Sequence, residues 1–130
     1  MKPIDQISGD VVNQAMRIHR DLGPGLLESV YELVLEGALK RAGYKVDRQK
    51  PIDIQFDGMT FERAFRIDLL IEDRLVVEVK SVENFSRAHA KQLHTYLRLL
   101  NLQVGLLLNF SGATMKEGIN RVVNDYRPEG

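Results

Sequence analysis

The spacing of apolar and polar positions changes several times along this chain of 130 residues, and each change marks an element. Val11, Val12, Ala15, Met16, His19 and Leu22 recur at helical intervals, and Leu22-Gly23-Pro24-Gly25 ends that helix with a glycine followed by a proline. A second helix is predicted from about Leu26 to Ala42, with Leu27, Val30, Tyr31, Val34 and Ala38 inward, Glu28 on the flank of that stripe and Gly43 closing it. From Tyr44 to Phe56 the period becomes that of a strand, with Val46, Ile52, Ile54 and Phe56 on one face. Asp57-Gly58 is a hairpin signal into a second strand, whose odd-numbered Met59, Phe61, Phe65, Ile67, Leu69 and Ile71 form one apolar row. Glu62, Arg66 and Asp68 fall on the opposite face, and a third strand divides the same way, Leu75, Val77 and Val79 against Arg74, Val76, Glu78 and Lys80.

Parity then fixes the register. Joining odd row to odd row in an antiparallel pair excludes a two-residue loop, and the connection Glu72-Asp73-Arg74 pairs Ile71 with Leu75. That register sets Asp68 opposite Glu78, with Lys80 further along the same face. The Asp57-Gly58 turn places Ile54 against Phe61, so the three strands are expected to share one core face. Beyond them, Asn84 or Ser86 caps a helix to about Asn101, with Ala90, Leu93, Leu97 and Leu100 packed on the sheet and His89, Gln92 and Tyr96 beside that stripe. Val104 to Phe110 is nearly continuous apolar sequence, the mark of a strand buried on both faces and reached by a parallel crossover. Met115 to Tyr126 reads as a short closing helix with Ile119, Val122 and Val123 inward. Residues 1–130 are thus expected to form one α/β domain around a mixed four-stranded sheet, with an extra helix at each end.

Composition narrows the function classes. Eighteen basic and eighteen acidic residues cancel, so any phosphate contact must come from a local basic patch. With no cysteine, disulfides, zinc thiolates and cysteine nucleophiles are excluded, which suits a reducing compartment. The opening MKPIDQISGDV lacks the apolar run of a signal peptide and no segment has the length of a membrane span, so a cytoplasmic protein without a membrane partner is expected.

Candidate chemistry lies in FRIDLLIEDRLVVEVKS, residues 65–81. Two carboxylates about 5 Å apart at an effective dielectric near 20 repel by roughly 3 kcal/mol, which one lysine offsets. Glu28 is a candidate third acid; three acids and one lysine favour a raised carboxyl pKa or a hard divalent cation with oxygen ligands, magnesium fitting best. The plain alternative is an ordinary ion pair, Glu78 with Lys80, on a solvated sheet surface. His19 reads as a satisfied core histidine, with a ligand role in reserve.

The order of elements, with Asp68, Glu78-Val79-Lys80 and Gln92-Leu93-His94-Thr95-Tyr96, resembles the PD-(D/E)XK nuclease superfamily, particularly its RecB-like branch. Gly25-Leu26-Leu27-Glu28-Ser29-Val30-Tyr31 is similar to the signature of the GxxExxY family within it. The resemblance implies a restriction-endonuclease-like αβββαβ core. It further implies magnesium (manganese in its place) on Asp68, Glu78 and Glu28, and Lys80 assisting the attacking water. Gln92 and Tyr96 correspond to the QxxxY helix that supports the site or touches nucleic acid, and some RecB-like sites add a histidine, here His19. Ile67 stands where a proline often precedes the first acid. The activity implied is metal-dependent phosphodiester hydrolysis, of DNA rather than RNA, with a homodimer admitted. The alternatives are a catalytically silent module that binds nucleic acid or a protein partner, and an enzyme acting on a smaller phosphate ester.

Overall fold

The computed structural model describes residues 2–128. In chain order it contains α1 (Ile4–Leu22), α2 (Glu28–Arg41), β1 (Val46–Phe56), β2 (Met59–Ile71), β3 (Leu75–Lys80), α3 (Arg87–Leu100), β4 (Val104–Asn109), a 3-10 turn (Lys116–Gly118) and β5 (Ile119–Val123). The strands form one five-stranded sheet in the order β1-β2-β3-β4-β5, antiparallel except for the parallel pair of β3 and β4 that α3 connects. With three helices against this mixed sheet, the fold is restriction-endonuclease-like, α/β.

The derived registers hold where they were derived. Ile71 pairs with Leu75 and Leu69 with Val77, Ile54 pairs with Phe61, and Glu72 and Asp73 both take the left-handed backbone that the tight connection demands. Ser86 is the N-cap of α3, where its N–H meets Nδ1 of His89 at 3.4 Å, and Asn101 closes the helix at φ 56°. Every residue of β4 is buried, as its unbroken apolar sequence requires.

Three expectations are corrected. The strands do not share one core face, because apolar clusters cover both sides of the sheet. Leu69, Ile71, Val77 and Val79 pack with α1 and α2, whereas Ile67, Leu70 and Val76 pack with Leu93 and Leu97 of α3. Ile67 and Leu69 therefore lie in different cores, and the odd-numbered row of β2 breaks at Asp68. Opposite the break, between the pairs Arg48↔Leu69 and Lys50↔Ile67, Gln49 takes φ 53°, outside the strand region. Secondly, the inward face of α2 is only partly the expected one: Tyr31 and Ala38 meet the core as expected, but Leu35 and Leu39 complete the face in place of Leu27 and Val34. Tyr31, Leu35 and Leu39 are fully buried, while Leu27 is 73% exposed and Val34 also meets solvent. This helix carries apolar residues on nearly every side, so their spacing alone does not select a face. Thirdly, the closing segment is a strand. β5 pairs antiparallel with β4, Leu108↔Ile119 through Val104↔Val123, and gives a fully buried strand the partner that it lacks on that side. Gly118 permits the approach, since a Cβ there would stand 1.9 Å from the Asn109 carbonyl oxygen.

Candidate active site

Asp68 and Glu78 meet where β2 parts from β3. The ladder between these strands ends at Leu69↔Val77, and carboxylates take the place of its next hydrogen bonds. The Asp68 N–H donates to Glu78 Oε2 at 2.8 Å, and the Val79 N–H donates to Asp68 Oδ2 at 2.8 Å. Each acid thus binds backbone beside the other, which fixes both side chains without a basic partner. Lys80 follows on the same strand and its charge bears on both acids. Among the described residues no carboxylate lies within the 4.0 Å of an ion pair from its ammonium.

Helix α2 brings two further acids. Glu28, in its first turn, accepts from the Ser81 N–H at 3.1 Å, and the Ser81 hydroxyl donates to the Leu26 carbonyl at 3.2 Å. One turn on, Glu32 is 5% exposed and accepts from Gln49 Nε2 at 2.8 Å, while Arg48 reaches it at 3.6 Å. The same Gln49 nitrogen donates to Asp68 Oδ1 at 3.2 Å, linking α2 to β2 through β1. The loop before α2 is pinned by Tyr31, whose hydroxyl donates to the Gly23 carbonyl and accepts from the Leu26 N–H, while its ring stacks on Phe110 at 4.3 Å. Gly25, at φ 104°, makes the turn inside that loop. The stretch Gly25 to Tyr31 is therefore a clamp: the glycine bends the chain, the tyrosine anchors it in the core, and Glu28 is delivered to the end of β3.

These elements enclose a cleft of about 900 Å³, lined by Glu28, Glu32, Gln49, Asp68, Ser81, Glu83 and Ser111 among others. Glu78 lies beneath it, 5% exposed. Burial first, and then the negative charge of Asp68, pushes the Glu78 carboxyl up to about 8. Burial also raises Asp68, against the pull of the Val79 N–H and Lys80, and raises Glu32 against its bond from Gln49. Among the described residues no three His, Cys, Asp or Glu side chains stand together as a finished metal cage.

The remaining candidates divide. Tyr96 belongs to the neighbourhood: its ring stacks on Phe65 at 4.2 Å, and burial followed by the charges of Glu78 and Asp68 raises its hydroxyl pKa. Gln92 lies exposed on α3, one turn away from Tyr96. His19 is buried in the α1 core, where Nε2 bonds the Gly112 carbonyl oxygen at 2.9 Å and the ring faces Phe110. Glu32, Gln49, Ser81, Glu83 and Ser111 are cleft residues to which motif reading gave no role. Glu32 was within reach, because it stands four residues beyond Glu28 and shares its helix face. Gln49 carried no signal, since its reach depends on a left-handed backbone at a residue that is not glycine.

Comparison with known proteins supplies the family. The family model of the PD-(D/E)XK nuclease superfamily matches residues 5–122, and the chain belongs to that superfamily. No curated protein matches it. Among solved structures, the crystal structure of SSO0001 is similar, with a TM-score of 0.54 and 20% sequence identity over 77% of this chain. The match covers 52% of that protein's length, and the likeness is one of fold.

Proposed function

We propose that this member of the PD-(D/E)XK nuclease superfamily hydrolyses phosphodiester bonds in nucleic acid, DNA before RNA, in the cleft below α2. The observation that carries this reading is the interlocked pair Asp68 and Glu78, a half-buried and a buried carboxyl side by side with Lys80 as their nearby cation. A structural role alone is poorly served by such a pair, since apolar residues of similar volume stabilise at least as well.

The donor set suits a hard divalent ion. Each acid keeps oxygen lone pairs beyond its backbone bond, and magnesium needs only one or two carboxylates because it retains several waters. Asp68 and Glu78 would hold the ion, with Glu28 at the rim and manganese as a substitute. When bound, it supplies Lewis-acid polarisation of a phosphoryl oxygen and a more acidic water. The chain's own contribution is positional. The N–H groups of Asp68 and Val79 orient the two acids, and Glu28 fixes the backbone that follows Lys80 by accepting from Ser81. The Lys80 ammonium then supports the water or the charge that develops on phosphorus.

The test is incubation of labelled single- and double-stranded DNA and RNA with magnesium or manganese. Cleavage by the native chain, abolished in Lys80→Ala and Asp68→Ala, is the expected result; full activity in both variants would remove the site. A second reading, a silent module that binds nucleic acid, is favoured by one feature: both Asp68 oxygens accept protein N–H groups. Its signature is gel retardation with no cleavage under any metal.

A further inference from the structure

A second cleft, of about 580 Å³, adjoins the first and shares Gln49 as a wall. The two have opposite electrostatic character. The charged residues lining the first are Glu28, Glu32, Asp68 and Glu83, whereas those lining the second are Arg63 and Arg66. Among the described residues neither arginine has a carboxylate within the 4.0 Å of an ion pair, while Arg48 engages both Glu32 and Glu36 and Arg121 engages Asp5.

The hairpin is deformed where these arginines sit. Between the pairs Ile52↔Phe65 and Ile54↔Phe61, Asp53 alone faces Glu62, Arg63 and Ala64. Arg63 takes φ 51°, and its N–H is held by Asp53 Oδ1 at 2.8 Å. A bulge re-aims side chains, and a carboxylate spent on its backbone shows that this one is fixed. The floor is rigid as well, since Phe65 stacks on Tyr96 at 4.2 Å and the Gln49 amide is tied to Glu32 and Asp68.

From this arrangement we infer that the β1–β2 bulge is a phosphate-binding subsite, in which Arg63 and Arg66 hold phosphates of a polynucleotide strand that flank the bond in the acidic cleft. Guanidinium groups bind phosphate through two parallel N–H bonds, and a chain with zero net charge needs such a local patch to hold a polyanion. The inference rests on the acidic cleft being the nuclease site and adds the substrate class: an oligomer with a phosphate beyond the scissile one, in preference to a mononucleotide ester.

The experiment compares the native chain with Arg63→Ala/Arg66→Ala in two assays. The first is metal-free binding of fluorescent single-stranded DNA and RNA oligonucleotides across a salt series. The second is metal-dependent hydrolysis of bis(p-nitrophenyl) phosphate, a diester too small to reach the second cleft. The double variant is expected to bind oligonucleotide roughly tenfold more weakly, with a salt slope shallower by about 1.4 for two lost contacts. Small-diester turnover should be unchanged, and Arg63→Lys/Arg66→Lys should recover part of the binding. Oligonucleotide binding by the double variant equal to that of the native chain, with the same slope, overturns the subsite whatever the catalysis. Loss of small-diester hydrolysis from the native chain, with arginine-dependent binding intact, overturns the nuclease reading and leaves the subsite standing.

Discussion

Glu78 is 5% exposed, and its carboxyl, pushed up to about 8 by burial and then by Asp68, keeps its proton through neutral pH. In the unfolded chain the same group ionises near 4.5. Between those values the folded state binds the extra proton, so this group's contribution is fully present below the unfolded pKa and is lost as pH rises through the folded one. Asp68 is shifted in the same direction and adds to the trend. The metal-free protein is therefore expected to melt at lower temperature at about pH 9 than at about pH 6, the difference amounting to a few kcal/mol. Glu78→Gln should flatten that profile in calorimetry, and a profile that stays steep in this variant would assign the proton elsewhere. Added magnesium should raise the melting temperature more at the alkaline end, because the ion needs the ionised carboxylate. Lys80 tests the chemistry separately. Lys80→Ala should lower the turnover of DNA by about a hundredfold or more while leaving the circular dichroism spectrum intact.

At the level of elements, the clamp before α2 sets the position of Glu28. Tyr31→Phe keeps the ring stacked on Phe110 and removes one hydroxyl, which leaves the Gly23 carbonyl and the Leu26 N–H without their partner. A cost of about 1–3 kcal/mol is expected in urea denaturation, with a further loss of DNA cleavage as Glu28 drifts from Ser81. Stability unchanged from the native chain would mean that water replaces the hydroxyl and that the clamp is not what holds the loop. Gly25, Glu28 and Tyr31 were legible as a spaced signature, but what they do was not, because the partners of Tyr31 and Glu28 are backbone groups that no pattern of side chains reveals. The inward face of α2 was legible only in part, at Tyr31 and Ala38, for a different reason. Its buried Glu32 is stabilised by Arg48 and Gln49 from β1, so a tertiary contact overrides the polarity on which the helical stripe depends. Conversely, the turn of Glu72 and Asp73 and the N-cap Ser86 act over a few residues, and there local chemistry was sufficient.

Across the whole molecule, the order of the first three strands and the registers beside their two turns were readable because alternation and loop parity are short-range properties. The second core and the fifth strand depend on what packs from a distance. Ile119, Val122 and Val123 suit a helix stripe and a strand equally well; the deciding fact is that β4, buried throughout, requires hydrogen-bonding partners on both sides. Gly118 is where that requirement becomes steric. A methyl group there would lie 1.9 Å from the Asn109 carbonyl oxygen, a backbone atom that cannot rotate away. Asn109 also pairs with Lys80 in the β3–β4 ladder, and its side chain accepts from the Val82 N–H at 3.1 Å and donates to the Val82 carbonyl at 2.9 Å. Displacement of Asn109 is therefore transmitted to the end of β3, next to Ser81 in the cleft wall. Gly118→Ala is expected to destabilise by about 2 kcal/mol or more and to depress cleavage of DNA under conditions in which the variant remains folded. Gly37→Ala is the counterpart on α2: nothing lies within 4 Å of the added carbon, and a helix interior gains about 0.5–1 kcal/mol from the exchange. Opposite shifts of the two urea midpoints would show that β5 is docked as described. A Gly118→Ala midpoint equal to that of the native chain would mean that β4 does without it.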